Sequence, residues 1–321
     1  MKIEKISENF TPLHEGILFG IDTECEEPTD IEVKIIEMAT GEVVATKLLR
    51  NTVATTINIA PYVEILTEYA PSTHRQTTFT EAPTASYKIC VGDIVSEEVV
   101  VSVNRCKIGP APTIVASLPT TRHIARGEND EVLIRAERGK SIRAEIAADT
   151  GESLHLEFQT ASGMAILTLS TNDFETTITS LDVALYCDGE KFGSLHYAVK
   201  PYLKTATRLA WLSDSGAIER YSFPSSYKAK RYAKKRVIST IDGVEASQSH
   251  AKQFISLCSR IEPRATVEAV AQLASSPKVW VEQDDRWQLV EVVTPEIEYN
   301  LFGEPSFLHL DVCLWQKEVA L

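Results

Sequence analysis

Between Gly16 and Tyr202 the chain repeats one pattern: short apolar stretches, several alternating strictly with polar residues, each closed by Gly, Pro, Asp or Asn. Ile31, Val33 and Ile35 alternate with Glu32 and Lys34, and Val99, Val101 and Val103 do the same. A period of two sends successive side chains to opposite faces, so each stretch is a half-buried strand that needs a second apolar face to cover it. This pattern predicts antiparallel sheets packed face to face rather than helices.

The chain is expected to be mainly β, in three domains. Residues 1–106 (ILFGI, IEVKIIEM, EVVATKLL, TTINIAPYVEIL, ASYKICV, EEVVVSV) predict a sandwich of about seven strands, immunoglobulin-like or fibronectin-like in pattern, with a reversal at Thr40-Gly41 and a long polar loop from Tyr69 to Pro83. KIGPAPT, Lys107 to Thr113, combines one Gly and two Pro and marks a boundary. Residues 107–203 predict a second sandwich, with hairpin turns at Arg138-Gly139, Thr150-Gly151 and Asp188-Gly189.

Residues 204–321 read as an α+β domain. Thr266 to Ser275 forms a helix capped by Thr266, with Val267, Val270, Ala271 and Leu273 as its apolar stripe and Pro277 beyond its end. KVWVEQ and WQLVEVV then make a tryptophan hairpin around Asp284-Asp285-Arg286.

Charge divides the chain in the same way. Residues 205–321 carry 14 Lys+Arg and 15 Asp+Glu, which leaves 18 and 30 of the chain's 32 and 45 for residues 1–204. That acidic front is a poor nucleic-acid surface, because binding depends on neutralising phosphates. No apolar run approaches a membrane span, and the N-terminal residues lack the apolar core and small-residue cleavage site of a signal peptide. A cytoplasmic start is expected. The six cysteines are scattered without a CxxC pair, so they predict buried small hydrophobes, with no zinc site and no disulfide framework.

No catalytic, metal-binding or cofactor-binding residue is expected. Gly139-Lys140-Ser141 ends like a phosphate-binding loop, but Ile134 stands where the loop's first glycine belongs. His14-Glu15 opens a zinc-protease pattern that Leu18 breaks. Neither GxSxG nor GxGxxG occurs. His155, His196 and His309 fall inside strand patterns, where packing on a sheet explains them.

Two sets of residues are candidates for recognition. Lys228, Lys230, Arg231, Lys234, Lys235 and Arg236 place six cations in nine residues, with Tyr227 and Tyr232 among them. The set suits nucleic acid or an acidic partner; a solvated strand or loop, or a contact with an acidic surface on a neighbouring subunit, is the reading that weighs more. Trp280, Trp287 and Tyr299 would suit a glycan if they shared one exposed face.

Thr207 to Phe223, TRLAWLSDSGAIERYSF, resembles a segment of structural tail proteins of tailed bacteriophages and prophages, RLAWLNxxGGxxxYxF. Arg208, Leu209, Ala210, Trp211, Leu212, Gly216, Tyr221 and Phe223 match; Ser213 replaces Asn, and of the Gly pair only Gly216 is kept. Ser275 to Val281, with the helix before it, is similar to LxxLxxSPxVWL of the same proteins, and Ile57 to Val63 is similar to a segment of their first β domain. The resemblance implies a non-catalytic virion component of a tail or baseplate, with a C-terminal domain of tail-tube or distal-tail type. Its partners would be copies of itself and other tail proteins, first in the bacterial cytoplasm and then in the virion. A carbohydrate-binding or adhesion module of tandem sandwiches is the alternative.

Overall fold

A computed structural model describes residues 1–12, 15–63, 69–102, 111–240, 243–294, 296–299 and 305–314; side chains are described for these except 225–227 and 231–251. The chain is mainly β.

The first unit contains β1 (Lys2–Lys5), β2 (Thr11–Pro12), β3 (Leu18–Asp22), β4 (Thr29–Glu37), β5 (Val43–Thr52), β6 (Ala54–Asn58), the single turn α1 (Ala60–Val63), β8 (Thr84–Val91), β9 (Ile94–Val95) and β10 (Val99–Ser102). One sheet runs β1-β3-β6; the other runs β2-β10-β8-β4-β5, with β9 on β8. Ile31, Val33 and Ile35 point inward while Glu32 and Lys34 face water, and they meet Phe19, Ile21 and Ile57 of the smaller sheet in one core. The stretch TTINIAPYVEIL is not one strand. Asn58 Oδ1 accepts hydrogen bonds from the Ile17 N–H (2.9 Å) and the Ala60 N–H (3.0 Å), and Pro61 has no N–H to extend a ladder, so the chain turns into α1. Gly41, at φ 74°, closes the β4–β5 hairpin.

The second unit pairs two sheets over a separate core. One runs β11 (Thr113–Val115), β13 (Asn129–Arg135), β16 (Met164–Ser170) and β7 (Thr78–Glu81); the other runs β12 (Thr121–Ala125), β18 (Glu190–Lys200), β17 (Ser180–Cys187), β14 (Ser141–Ala148) and β15 (Ser153–Gln159). β7 corrects the reading of residues 69–83 as a loop: it pairs antiparallel with β16, from Thr78–Thr168 to Glu81–Ala165. Every residue of β16 is buried, so its outer N–H and C=O groups require a partner, and this four-residue strand supplies it. Phe79 enters the core and stacks on Phe158 with ring centres 5.8 Å apart. The Glu81 carboxylate accepts from the Ser162 N–H (2.6 Å) and the Thr160 hydroxyl (3.0 Å). By pairing, β7 belongs to the second unit; in sequence it lies among strands of the first.

Thr150-Gly151 and Asp188-Gly189 join antiparallel neighbours, but Arg138-Gly139 does not. It carries the chain from β13 in one sheet to β14 in the other, with Gly139 at φ 77°. Lys107 to Pro110 of the expected linker lie outside the described residues, as does His14.

The third unit is a seven-stranded sheet in the order β20 (Ile218–Phe223), β19 (Thr207–Leu212), β23 (Val279–Gln283), β24 (Arg286–Val292), β25 (His309–Leu314), β22 (Gly243–Cys258), β21 (Ser225–Thr240). The helix α2 (Arg264–Ala271) packs Val267 and Val270 into a core with Leu209, Trp211 and Phe223. It starts two residues earlier than Thr266. The Pro263 carbonyl accepts from the Thr266 N–H (3.0 Å) and the Val267 N–H (3.1 Å), so Thr266 lies in the first turn and is not the cap. Asp284 and Asp285, at φ 48° and 62°, form the turn between β23 and β24. Of the described cysteines only Cys313 is buried; Cys25 is exposed in a loop, and Cys90, Cys187 and Cys258 are half-buried, Cys187 with one side packed against the core of the second unit.

Candidate assembly interface

β21 and β22 are sixteen residues each, far longer than the strands they join. β25 pairs with β22 only from Gln253 to Cys258. From Tyr232–Lys252 to Thr240–Gly243 the two strands therefore pair only with each other, and a two-stranded arm leaves the sheet. Nine residues of β21 at 3.3–3.4 Å each give a reach of about 30 Å. The far edge of β21 ends the sheet, with no strand beside it among the described residues.

All six candidate cations lie on β21. Across the ladder Lys230 faces Phe254, Arg231 faces Gln253, Lys234 faces His250, Lys235 faces Ser249 and Arg236 faces Gln248, so β22 places no carboxylate opposite them. Lys228 and Lys230 are exposed, at the root of the arm. There Lys230 pairs with Asp311 of β25 (3.4 Å), and Lys252 pairs with Glu291 of β24 (3.6 Å). The root is tied to the sheet by charge; along the arm the register sets no Asp or Glu directly across from a cation.

The sheet that carries the arm is seated on the second sandwich. An apolar seam joins Leu133, Met164 and Ile166 to Ala210, Leu212, Ile218 and Trp280, with Tyr69 and Ala82 beside them. Next to it lies a buried ionic network. Arg122 of β12 reaches Asp130 (3.0 Å) and Glu219 of β20 (3.5 Å), while the Tyr197 hydroxyl donates to Asp130 (2.8 Å). Arg220 pairs with Glu131 (2.9 Å) and donates to Asn129 Oδ1 (2.8 Å), and Arg208 donates to the Asn129 carbonyl. Burial pushes the Glu219 carboxyl up, against the pull of Arg122. Burial works against the Arg122 charge, yet Glu219, Tyr197 and Asp130 hold that guanidinium above its ordinary value. Removing one partner of such a network strands a charge in a dry interior.

The aromatic candidates do not come together. Trp280 is 4% exposed, in the seam. Trp287 is half-buried, donates from its indole N–H to the Ser72 carbonyl (3.2 Å), and is covered by the guanidinia of Arg220 (5.2 Å) and Arg208 (5.9 Å). Tyr299 packs against the other core of the third unit. His155 and His309 are exposed on sheet faces, and His196 is held by Asp182 (2.8 Å). Lys140 of the GKS turn pairs with Asp188 (2.8 Å). Sequence reasoning missed the ionic network. Its one signal is that Glu219-Arg220 and Asn129-Asp130-Glu131 adjoin apolar residues in strands buried on both faces.

Among the described residues no group of three or more His, Cys, Asp or Glu side chains could hold a metal ion, and no helix is long and apolar enough to cross a membrane. No protein-family model and no curated protein matches the chain. Among solved structures, it is similar to the chicken interferon gamma receptor alpha chain at 11% identity, over 62% of this chain and 98% of that one, with a TM-score of 0.20. A Salmonella alpha-2-macroglobulin is matched at 8% identity over 93% of this chain with a TM-score of 0.22; the match spans 24% of that protein's length. Titin domains I67–I69 are matched at 10% identity over 99% of this chain and 88% of that one, with a TM-score of 0.19.

Proposed function

We propose that this protein is a structural, non-catalytic assembly subunit of a bacteriophage or prophage tail or baseplate, made in the bacterial cytoplasm and joined to its neighbours through the β21–β22 arm. The observation that carries the assembly reading is the arm itself. An isolated two-stranded hairpin is marginal in water, and an open edge strand is a template for another chain. Six cations without carboxylates opposite them add a preference for an acidic partner. The tail setting follows from the resemblance of Thr207–Phe223 and Ser275–Val281, segments that build the sheet bearing the arm. The glycan alternative loses its support, since Trp280 is enclosed and Trp287 is covered, and a sugar stacks only on an open ring.

The test is to replace residues 232–252 by Asn-Gly, closing the hairpin beside the Arg231–Gln253 pair with a two-residue turn. All pairing between β22 and β25 is kept. Light scattering is expected to show an oligomer for the intact chain and a monomer for the shortened one, with unchanged thermal unfolding. An intact chain that is monomeric at high concentration and binds no other tail component overturns the proposal.

A further inference from the structure

We infer that the gap between β24 and β22 is a docking slot for the chain's own residues 315–318, which enter it as a strand and close the root of the arm, whatever the arm itself binds. Residues 315–321 lie outside the described residues. The two strands beside the gap say what fits there. β25 is paired as far as Leu314, which faces Val290 of β24 on one side and Gln253 of β22 on the other. Both neighbours run on past it. β24 extends from Leu289 back to Arg286 with β23 on its far side, and β22 extends from Lys252 along the arm with β21 on its far side. β25 holds them two strand spacings apart, roughly 10 Å, so beyond Leu314 they bound a slot one strand wide. The Lys252–Glu291 ion pair (3.6 Å) bridges them beside its mouth.

The walls of the slot turn hydrogen-bonding groups inward. The Val293 N–H donates to the Asp311 carbonyl (2.9 Å), so these two form a hydrogen-bonded pair across β24 and β25. Such pairs recur at every second residue of an antiparallel ladder. Leu289 and Trp287 therefore direct their main-chain N–H and C=O groups into the slot. Asp311 and Cys313 face β24, which leaves Leu310, Val312 and Leu314 to face β22; on that side the groups of Ala251 and Ser249 follow those of Gln253 into the slot. Continued from Leu314, the same register sets Trp315 opposite Leu289 and Glu318 opposite Arg286. Leu289 is 54% exposed, and Arg286 is exposed and makes no ion pair among the described residues. An aromatic opposite an aliphatic and a carboxylate opposite a guanidinium each favour a ladder. The segment that begins at the mouth of the slot reaches it without a loop to close, which favours it over any other strand. Four added pairs along β22, from Lys252 to Ser249, bring about 13 Å of the arm into the sheet and shorten its free span by that much.

Amide hydrogen exchange on the full chain tests this. The N–H groups of Leu289, Trp287, Ala251 and Ser249 are expected to exchange roughly a hundredfold more slowly than in an unstructured chain. Two variants remove the strand: a chain ending at Leu314, and the full-length Gln316→Pro, which has no N–H to give to β22 and cannot continue a central ladder. In both, the four amides are expected to lose roughly tenfold or more of that protection. Slow exchange from Gln253 to Cys258 in the same samples shows that the sheet is still folded. Equal exchange at the four positions in wild type and both variants refutes the inference. Protection that grows with protein concentration gives the slot to a strand of another copy and refutes it as well. Slow exchange in a chain that stays monomeric supports the docked strand and counts only against assembly through the arm.

Discussion

Arg122→Met tests the ionic network that seats the arm-bearing sheet. Methionine keeps most of the apolar stem, so packing changes little and the charge is what is lost. The structure puts Arg122 3.0 Å from Asp130 and 3.5 Å from Glu219, and its Nε donates to the Pro119 carbonyl at 3.0 Å. Without it, two buried carboxylates on opposite sides of the joint face each other with no cation between them. Removing one partner of a buried pair costs roughly 3–5 kcal/mol, and that is the loss expected at pH near 8. The sign of the pH dependence follows from Glu219, whose carboxyl burial already raises in the folded protein. A carboxyl raised on folding binds its proton more tightly in the native state, so its contribution is present in acid and is lost as pH rises through the folded value. Loss of Arg122 raises that carboxyl further. The deficit of the variant therefore shrinks on going from about pH 8 to about pH 5, by up to roughly 1.4 kcal/mol per pH unit for each carboxyl that takes up a proton. Urea unfolding followed by tryptophan fluorescence reads this sheet directly, because all four tryptophans lie in residues 205–321 and Trp211 is fully buried. A loss below about 1 kcal/mol, or the same loss at both pH values, refutes the reasoning.

Three further outcomes follow from particular contacts. Phe79→Ala, which empties the site stacked on Phe158, is expected to cost about 3–4 kcal/mol in the unfolding of the second sandwich and to make residues 69–83 cleavable by protease; protection equal to wild type contradicts the pairing of β7. Asp284→Asn with Asp285→Gly suits the positive φ at both positions and is expected to stabilise the β23–β24 hairpin by about 1 kcal/mol or less, read as a rise in Tm; it removes only an exposed ion pair with Arg75. In timed alkylation, exposed Cys25 is expected to react in the native protein, while Cys313, buried and with its thiol pushed up by desolvation, reacts only after unfolding.

Much of the architecture was legible where burial follows one simple period. The alternation of Ile31, Val33 and Ile35 gave a strand and its inward face, and Thr150-Gly151 and Asp188-Gly189 gave true hairpins. β7 was not legible, because TFTE holds one apolar residue and exists as a strand only through its ladder with the buried strand β16, far away in sequence. Pro61 should have stopped the strand reading of TTINIAPYVEIL, but the hydrogen bonds of Asn58 that fix the turn depend on Ile17 in another strand. Arg138-Gly139 carries the right turn chemistry, and a turn residue does not state whether the next strand pairs with the last. The basic run was visible as charge. Its place on an arm was not, since YKAKRYAKKRVIST lacks a regular apolar period and is shaped by its ladder with β22.

The most direct test of assembly through a charged arm is the solution mass of the intact chain by light scattering as salt rises from about 50 mM to about 0.5 M, where screening shortens the reach of exposed charges to a few ångströms. The expected result is a closed or filamentous oligomer at low salt that dissociates to monomer as salt rises. A mass that is monomeric throughout, or an oligomer indifferent to salt, contradicts it.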